Sequence, residues 1–461
     1  MEEGRRGGDG GGQPETANAI AAAIASGSMT ARQSVERSLT RIEELDGEVN
    51  SCVETFEPEA LAEADSIDAG NADPTTKPLL GVPVTVKEIL AVRGARNTWG
   101  CPALAGRRSE VDDPYVSRLR GAGAIVVATT NVPELSCWGT TDNPVYGATR
   151  NPRARDRTPG GSSGGAAASV ALGVVPLAIG SDAGGSIRIP ASFTGVVGFK
   201  PSFSTLPADG AAQINRLNVV GPLARCVADA RLALRVLGAG DAGHGGAGDR
   251  RVRVAATEDY GFAPVDGEVR DGFRAAIAAL EDAGLALERR GPGAGQGGRS
   301  PLEFIIPPLE CEVYDAFADL LAGGTHGLSA ATVDVASIGA RTSGLQYLRC
   351  IRERARYEDE WRDYFATTDV LLAPTTQVAA FPLGRNGPES IDGVAVDPDA
   401  DGSWYPTSFI ANVIGAPAAS VPCGSTKEGL PIGLQVMGVP GSDELVLSVA
   451  ERCESALVKR L

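Results

Sequence analysis

The sequence predicts an α/β fold, with a largely parallel or mixed sheet covered by helices on both faces. Three observations support this. Segments of helical period alternate with short apolar runs rich in β-branched residues. Apolar residues make up 43% of the 461 residues, enough for a large core. No internal repeat and no clear linker divides the chain, so residues 14–461 read as one domain. Residues 1–13, rich in glycine, read as a disordered lead.

The elements follow in order. Thr30 can cap a helix in which Val35, Leu39 and Ile42 share a face, and a similar helix precedes it over Ala17–Ala25. Leu79–Val86 (LLGVPVTV) reads as a buried strand, or two short ones, ending at Lys87. Tyr115–Leu119 reads as a helix and Ala124–Ala128 as the strand after it. Asn131–Pro159 is polar, turn-rich and unusually long for a connection, which marks a functional loop. Gly160–Gly165 (GGSSGG) opens a helix over Ala166–Leu172, and Val174–Ile179 is a strand running into Gly180–Ser186 (GSDAGGS). Cys226–Leu237 is a helix, Gly238–Arg250 a loop, Arg251–Ala256 a strand and Glu268–Leu280 an amphipathic helix. A second glycine-rich loop spans Gly291–Gly298. Tyr347–Phe365 is a long charged helix leading into the strand Val370–Ala373. Ala418–Pro422 and Gly433–Met437 are strands, and Glu444–Leu457 is a last helix.

Composition excludes several classes. The formal net charge of −16 argues against binding a nucleic-acid backbone or an anionic membrane. The longest near-apolar run, Ala166–Gly180, contains Pro176 and is too short to span a bilayer. The N-terminus has no apolar stretch of the secretory type. Eight scattered cysteines form no Cys-x-x-Cys pair, which fits reduced thiols in a cytoplasmic protein better than a disulfide framework or a zinc site. The two histidines, His244 and His326, both sit among glycines.

Three local features can carry chemistry. Lys87 follows an apolar strand directly. It is either a strand-end charge reaching solvent or a desolvated amine whose lowered pKa makes it a base. Ser162 and Ser163 lie in Thr158–Gly165 (TPGGSSGG), which is either a capped helix start or a nucleophile elbow of the Gly-x-Ser-x-Gly kind. The elbow reading lacks a suitably placed late histidine, and a phosphate loop lacks its Gly-Lys-Ser/Thr. Ser186 ends the turn Gly180–Ser186. Glycines there let the backbone aim several N–H groups at one point, either as a structural turn or as a cradle for an oxyanion.

Together these segments resemble the amidase signature family, most densely over Gly81–Pro201. GGSSGG and GSDAGGSIRIPA are long, specific patterns, and the spacings of 24 from Ser162 to Ser186 and 99 from Lys87 to Ser186 are typical of that family. Asn412–Pro422 (NVIGAPAASVP) resembles another shared segment. The resemblance implies an α/β/α sandwich around a mixed, mostly parallel twisted sheet of roughly ten strands. It implies Ser186 as nucleophile, Ser162 as bridging serine and Lys87 as base. The amides of Ala183, Gly184, Gly185 and Ser186 match the oxyanion hole, while Asp182, Arg188 and Ser163 match bracing residues. No metal or organic cofactor is implied.

The expected reaction is hydrolysis of a neutral, partly apolar amide or carbamate (urethane), with esters as further substrates, by a monomer or homodimer. Trp138 and Tyr146, in the long loop, are candidates for the pocket beside Ser162. Phe304, Ile305, Ile306, Tyr314, Trp404 and Tyr405 lie in the less regular second half, where such enzymes build their pockets. Two rival readings remain. One is the A subunit of a glutamine-dependent tRNA amidotransferase, from whose usual pattern this sequence departs after Pro201. The other is a non-catalytic binding protein on the same fold.

Overall fold

The computed structural model describes residues 15–207, 217–239, 251–293, 295–322, 327–400 and 402–457. The expected N-terminal lead and both histidines lie outside the described residues.

The first helices form where capping and period place them. Thr16 caps Ala17–Ala25, and Thr30 caps Ala31–Arg41 through a reciprocal capping box with Gln33. Val35 on the second helix is fully buried.

Among the described residues, eleven strands make one continuous sheet. Its spatial order is Cys52–Thr55, Ile125–Thr130, Pro83–Lys87, Leu177–Asp182, Val219–Ala224, Val197–Lys200, Ala418–Ser425, Pro431–Gly438, Val370–Pro374, Val254–Ala256 and Leu287–Arg289. The sheet is mixed, but less parallel than expected. Four pairings are parallel and six antiparallel among the described residues. The cause is local. Ala418–Ser425 and Pro431–Gly438 form a hairpin, and Val197–Lys200 pairs antiparallel with both of its neighbours.

Both faces of the sheet are covered. Along Val370–Pro374 successive side chains enter two different cores: Val370 and Leu372 join one, Leu371 and Ala373 the other. The first core runs under the helices Ala17–Ala25, Gly267–Asp282 and Asp443–Leu457. The second is aromatic and lies beneath Leu302–Ala316, Gly344–Phe365 and Phe409–Val413.

Three parallel neighbours position the site. Pro83–Lys87 lies between Ile125–Thr130 and Leu177–Asp182, with Lys87 paired to Thr130 and Val86 to Ile179. Their carboxyl ends therefore converge. Lys87, the long loop from Asn131 and the turn after Asp182 all emerge at one edge, where open α/β sheets bind ligands.

A buried ion pair fastens this edge to the rest of the molecule. Arg188 and Asp182 have fully buried side chains. The guanidinium donates to both carboxylate oxygens, at 3.0 and 2.9 Å, and also to Gln435 Oε1 at 2.7 Å and Asn412 Oδ1 at 2.6 Å. One side chain thus ties a strand end to two segments more than two hundred residues away. Removing one member leaves the others charged or unpaired without water. Arg188→Met should therefore lose about 3–5 kcal/mol of stability in denaturant unfolding. A loss within measurement error would show that the network does not hold the fold.

Candidate active site

Lys87 is where the sheet makes an amine unusual. It ends a strand whose five residues are all buried, and its own side chain is fully inaccessible. Nζ donates to Ser162 Oγ at 2.7 Å and to Ser181 Oγ at 2.9 Å. Burial pushes its pKa down to about 7, against the opposing influence of Asp182 and Cys137. The strand-end lysine is thus a desolvated amine, neutral in a large fraction at neutral pH.

Ser162 sits just before the helix Gly164–Ala171, and its peptide bond to Gly161 is cis. Its Oγ receives two hydrogen bonds, one from Lys87 and one from Ser136 Oγ at 2.8 Å. Next to it, Ser163 joins the two serine loops. Its N–H donates to Ser186 O at 3.1 Å, and its Oγ donates to Ser181 O at 3.0 Å and accepts from Ser181 N–H at 3.2 Å.

The turn after Asp182 is held by that carboxylate. Gly185 N–H donates to Oδ1 at 2.8 Å and Ile187 N–H to Oδ2 at 3.1 Å. Burial alone would raise the Asp182 pKa. The Arg188 charge and hydrogen bonds, with Lys200 and Asn412, outweigh it and hold the carboxyl well below the usual range. Gly185 has φ of +117°, and a Cβ there would meet Ser408 Oγ at 2.6 Å, so only glycine fits. The Gly185 amide is therefore committed to Asp182 and does not face the cavity as a donor, contrary to the four-amide expectation. Among the described residues, the N–H groups of Ala183, Gly184 and Ser186 donate to no protein acceptor.

Ser162, Ser181, Ala183, Gly184 and Ser186 line one cavity. Its other walls are largely apolar: Ile89, Trp138, Ile306, Leu309, Val313, Val335, Tyr405 and Phe409. Glu310 is the one charged residue on this lining among the described residues. Trp138 faces the cavity as expected, but Tyr146 does not. Its hydroxyl donates to Glu88 Oε1 at 3.3 Å and accepts from Thr98 Oγ1 at 3.1 Å, and Arg96 stacks on its ring. Of the six second-half aromatic and aliphatic candidates, Ile306 and Tyr405 line the cavity. Phe304, Ile305 and Trp404 are buried in the aromatic core, and Tyr314 is exposed.

Sequence reasoning missed Ser136, Leu309, Glu310, Val313 and Val335. The helix Leu302–Ala316 contains Pro307 and Pro308, which hide its period. The far wall is nonetheless tied to the long loop that begins at Asn131. Glu134, almost fully buried, accepts from Ser329 N–H at 3.1 Å, from Ser329 Oγ, and from Thr332 Oγ1 at 2.5 Å. Ser329 caps the helix Ala330–Arg341, which carries Val335.

The chain is similar to known proteins over most of its length. The Amidase family profile matches residues 33–447. An acylamidase of Rhodococcus erythropolis is 31% identical over 456 residues, covering 95% of each chain. The A component of the glutamyl-tRNA(Gln) amidotransferase of Koribacter versatilis is 30% identical over 491 residues, covering 96% of this chain and 98% of its own. The crystal structure of a bacterial aryl acylamidase of the amidase signature family superposes with a TM-score of 0.85 at 28% identity, covering 96% of both chains. The chain belongs to the amidase family, the amidase signature hydrolases of carbon–nitrogen bonds.

Proposed function

We propose that this protein is a stand-alone serine amidase, with Ser186 as nucleophile, Ser162 as proton bridge and Lys87 as base. The observation that carries the reading is the 2.7 Å hydrogen bond from the buried Lys87 amine to Ser162, at the wall of a cavity that Ser162 shares with Ser186. Neutral Lys87 takes the proton of Ser162, which takes that of Ser186. Ser186 Oγ attacks the carbonyl carbon, and the oxyanion forms against the amides of Ala183, Gly184 and Ser186. The Ser162 hydroxyl then returns a proton to the leaving nitrogen, and the carbon–nitrogen bond breaks. Water hydrolyses the acyl-enzyme and regenerates Ser186. Asp182, Arg188 and Ser163 hold the reacting loops in register.

The apolar cavity walls favour a neutral linear amide with an apolar body, and carbamates and esters fit the same chemistry. Similarity to the amidotransferase component supports a second reading, in which ammonia is released for a partner. The purified chain alone, offered an anilide, a primary amide and an ester of one acyl group together with an aryl carbamate, should turn over the anilide or the carbamate. Activity that appears only with added partner proteins would favour the second reading.

Ser186→Ala should lower turnover by about 10⁴-fold or more while leaving the unfolding curve unchanged. A fluorophosphonate should label the parent enzyme at Ser186 and fail to label the variant. Full activity in Ser186→Ala would overturn the assignment.

The pH dependence has a definite sign. Lys87 accepts a proton only when neutral, and its pKa lies at about 7. The value of kcat/KM should therefore rise as pH increases through about 7 and level off above it. A flat profile between about pH 5 and 9 would exclude Lys87 as the base.

A further inference from the structure

We infer that Ser136 is a positioning residue of the proton relay, its hydroxyl orienting that of Ser162 toward Lys87. This rests on the Ser186–Ser162–Lys87 reading. A serine hydroxyl has one proton to donate and two lone pairs to accept with. Ser136 Oγ donates into one of the Ser162 lone pairs at 2.8 Å. When Lys87 is neutral, the Ser162 proton points to Nζ, 2.7 Å away. One lone pair of Ser162 then stays open, and it must accept the proton of Ser186. When Lys87 is protonated it donates to Ser162 instead, both lone pairs are filled, and Ser162 has no site for the nucleophile's proton. Ser136 thus turns a freely rotating hydroxyl into a one-way bridge. Its hydrogen bond also steadies the negative charge that builds on Ser162 Oγ as protons pass through it.

The backbone holds Ser136 for this contact. Leu135 and Ser136 have φ of +52° and +62°, a region that side-chain-bearing residues seldom adopt. Leu135 N–H donates to Trp99 O at 2.8 Å, and Ser136 N–H donates to Pro133 O at 2.9 Å. Glu134, on the other side, is fixed by Ser329 and Thr332. Two consecutive strained residues persist only where their surroundings over-determine them. Here the product of that strain is a hydroxyl directed at the bridging serine.

The test compares Ser136→Ala and Ser136→Gly on whichever anilide or carbamate the parent enzyme turns over. Both remove the hydroxyl, but only glycine is at ease at this φ. Both variants should lower kcat by about 10- to 100-fold, with KM changed by less than about twofold. In both, the acid limb of the kcat/KM profile should move to higher pH, because Ser162 loses the polarisation that helps it donate to neutral Lys87. Fluorophosphonate labelling of Ser186 should slow in parallel. Parent-like kcat and an unmoved acid limb in either variant would overturn the inference, as would a loss seen in the alanine variant and absent in the glycine variant. A parent enzyme that neither turns over substrate nor labels at Ser186 would instead overturn the active-site reading, and this inference with it.

Discussion

A carboxylate sealed from water organises this molecule's working edge. Asp182 stands at the carboxyl end of a central strand with no solvent to stabilise its charge. Every compensation must come from the protein, so its two oxygens gather the Gly185 and Ile187 amides, the Arg188 guanidinium and the Asn412 amide. That convergence curls the chain into the turn that presents Ser186. The same demand reaches across the sheet, because Arg188 needs further acceptors and finds them on Asn412 and Gln435. The shape of the turn that carries Ser186 therefore follows from neutralising one buried charge.

Lys87 is the counterpart, a cation site with incomplete compensation. Arg188 has a carboxylate in direct contact, whereas Lys87 is met by two serine hydroxyls and feels Asp182 only at a distance. Hydroxyls solvate an ammonium less well than water or a carboxylate, so desolvation dominates and the neutral amine becomes accessible. The fold thus sets two buried basic groups side by side in function but opposite in chemistry. One stays charged to hold the turn, and the other, in the mechanism proposed above, gives up its charge to accept a proton.

Much of this was legible in the sequence, for identifiable reasons. Lys87, Ser162 and Ser186 stand in continuous motifs on or beside parallel strands, where local pattern and spatial position coincide. The capped helix from Ala31 and the hairpin strands near the C-terminus were legible through caps and strand runs. The role of Gly185 was not, because its amide direction depends on a carboxylate that spacing alone cannot orient. Tyr146 misled for a similar reason: a nearby aromatic looks like a pocket wall until Glu88 and Thr98 are seen to capture its hydroxyl. The far wall of the cavity escaped notice because two prolines interrupt the helical pattern of Leu302–Ala316. The excess of antiparallel pairing was hidden because short strands such as Val197–Lys200 carry no signal of their direction.

The Glu134 link ties one wall of the pocket to the loop beside Ser162. The helix that brings Val335 to the cavity is capped by Ser329, and Ser329 is bound to Glu134, two residues before Ser136, which donates to Ser162. The cavity wall at Val335 and the hydroxyl of Ser162 are therefore joined through one short run of hydrogen bonds and backbone at Glu134–Ser136. On the proposed mechanism, a substrate that displaces this wall would also disturb the segment that sets the Ser162 hydroxyl.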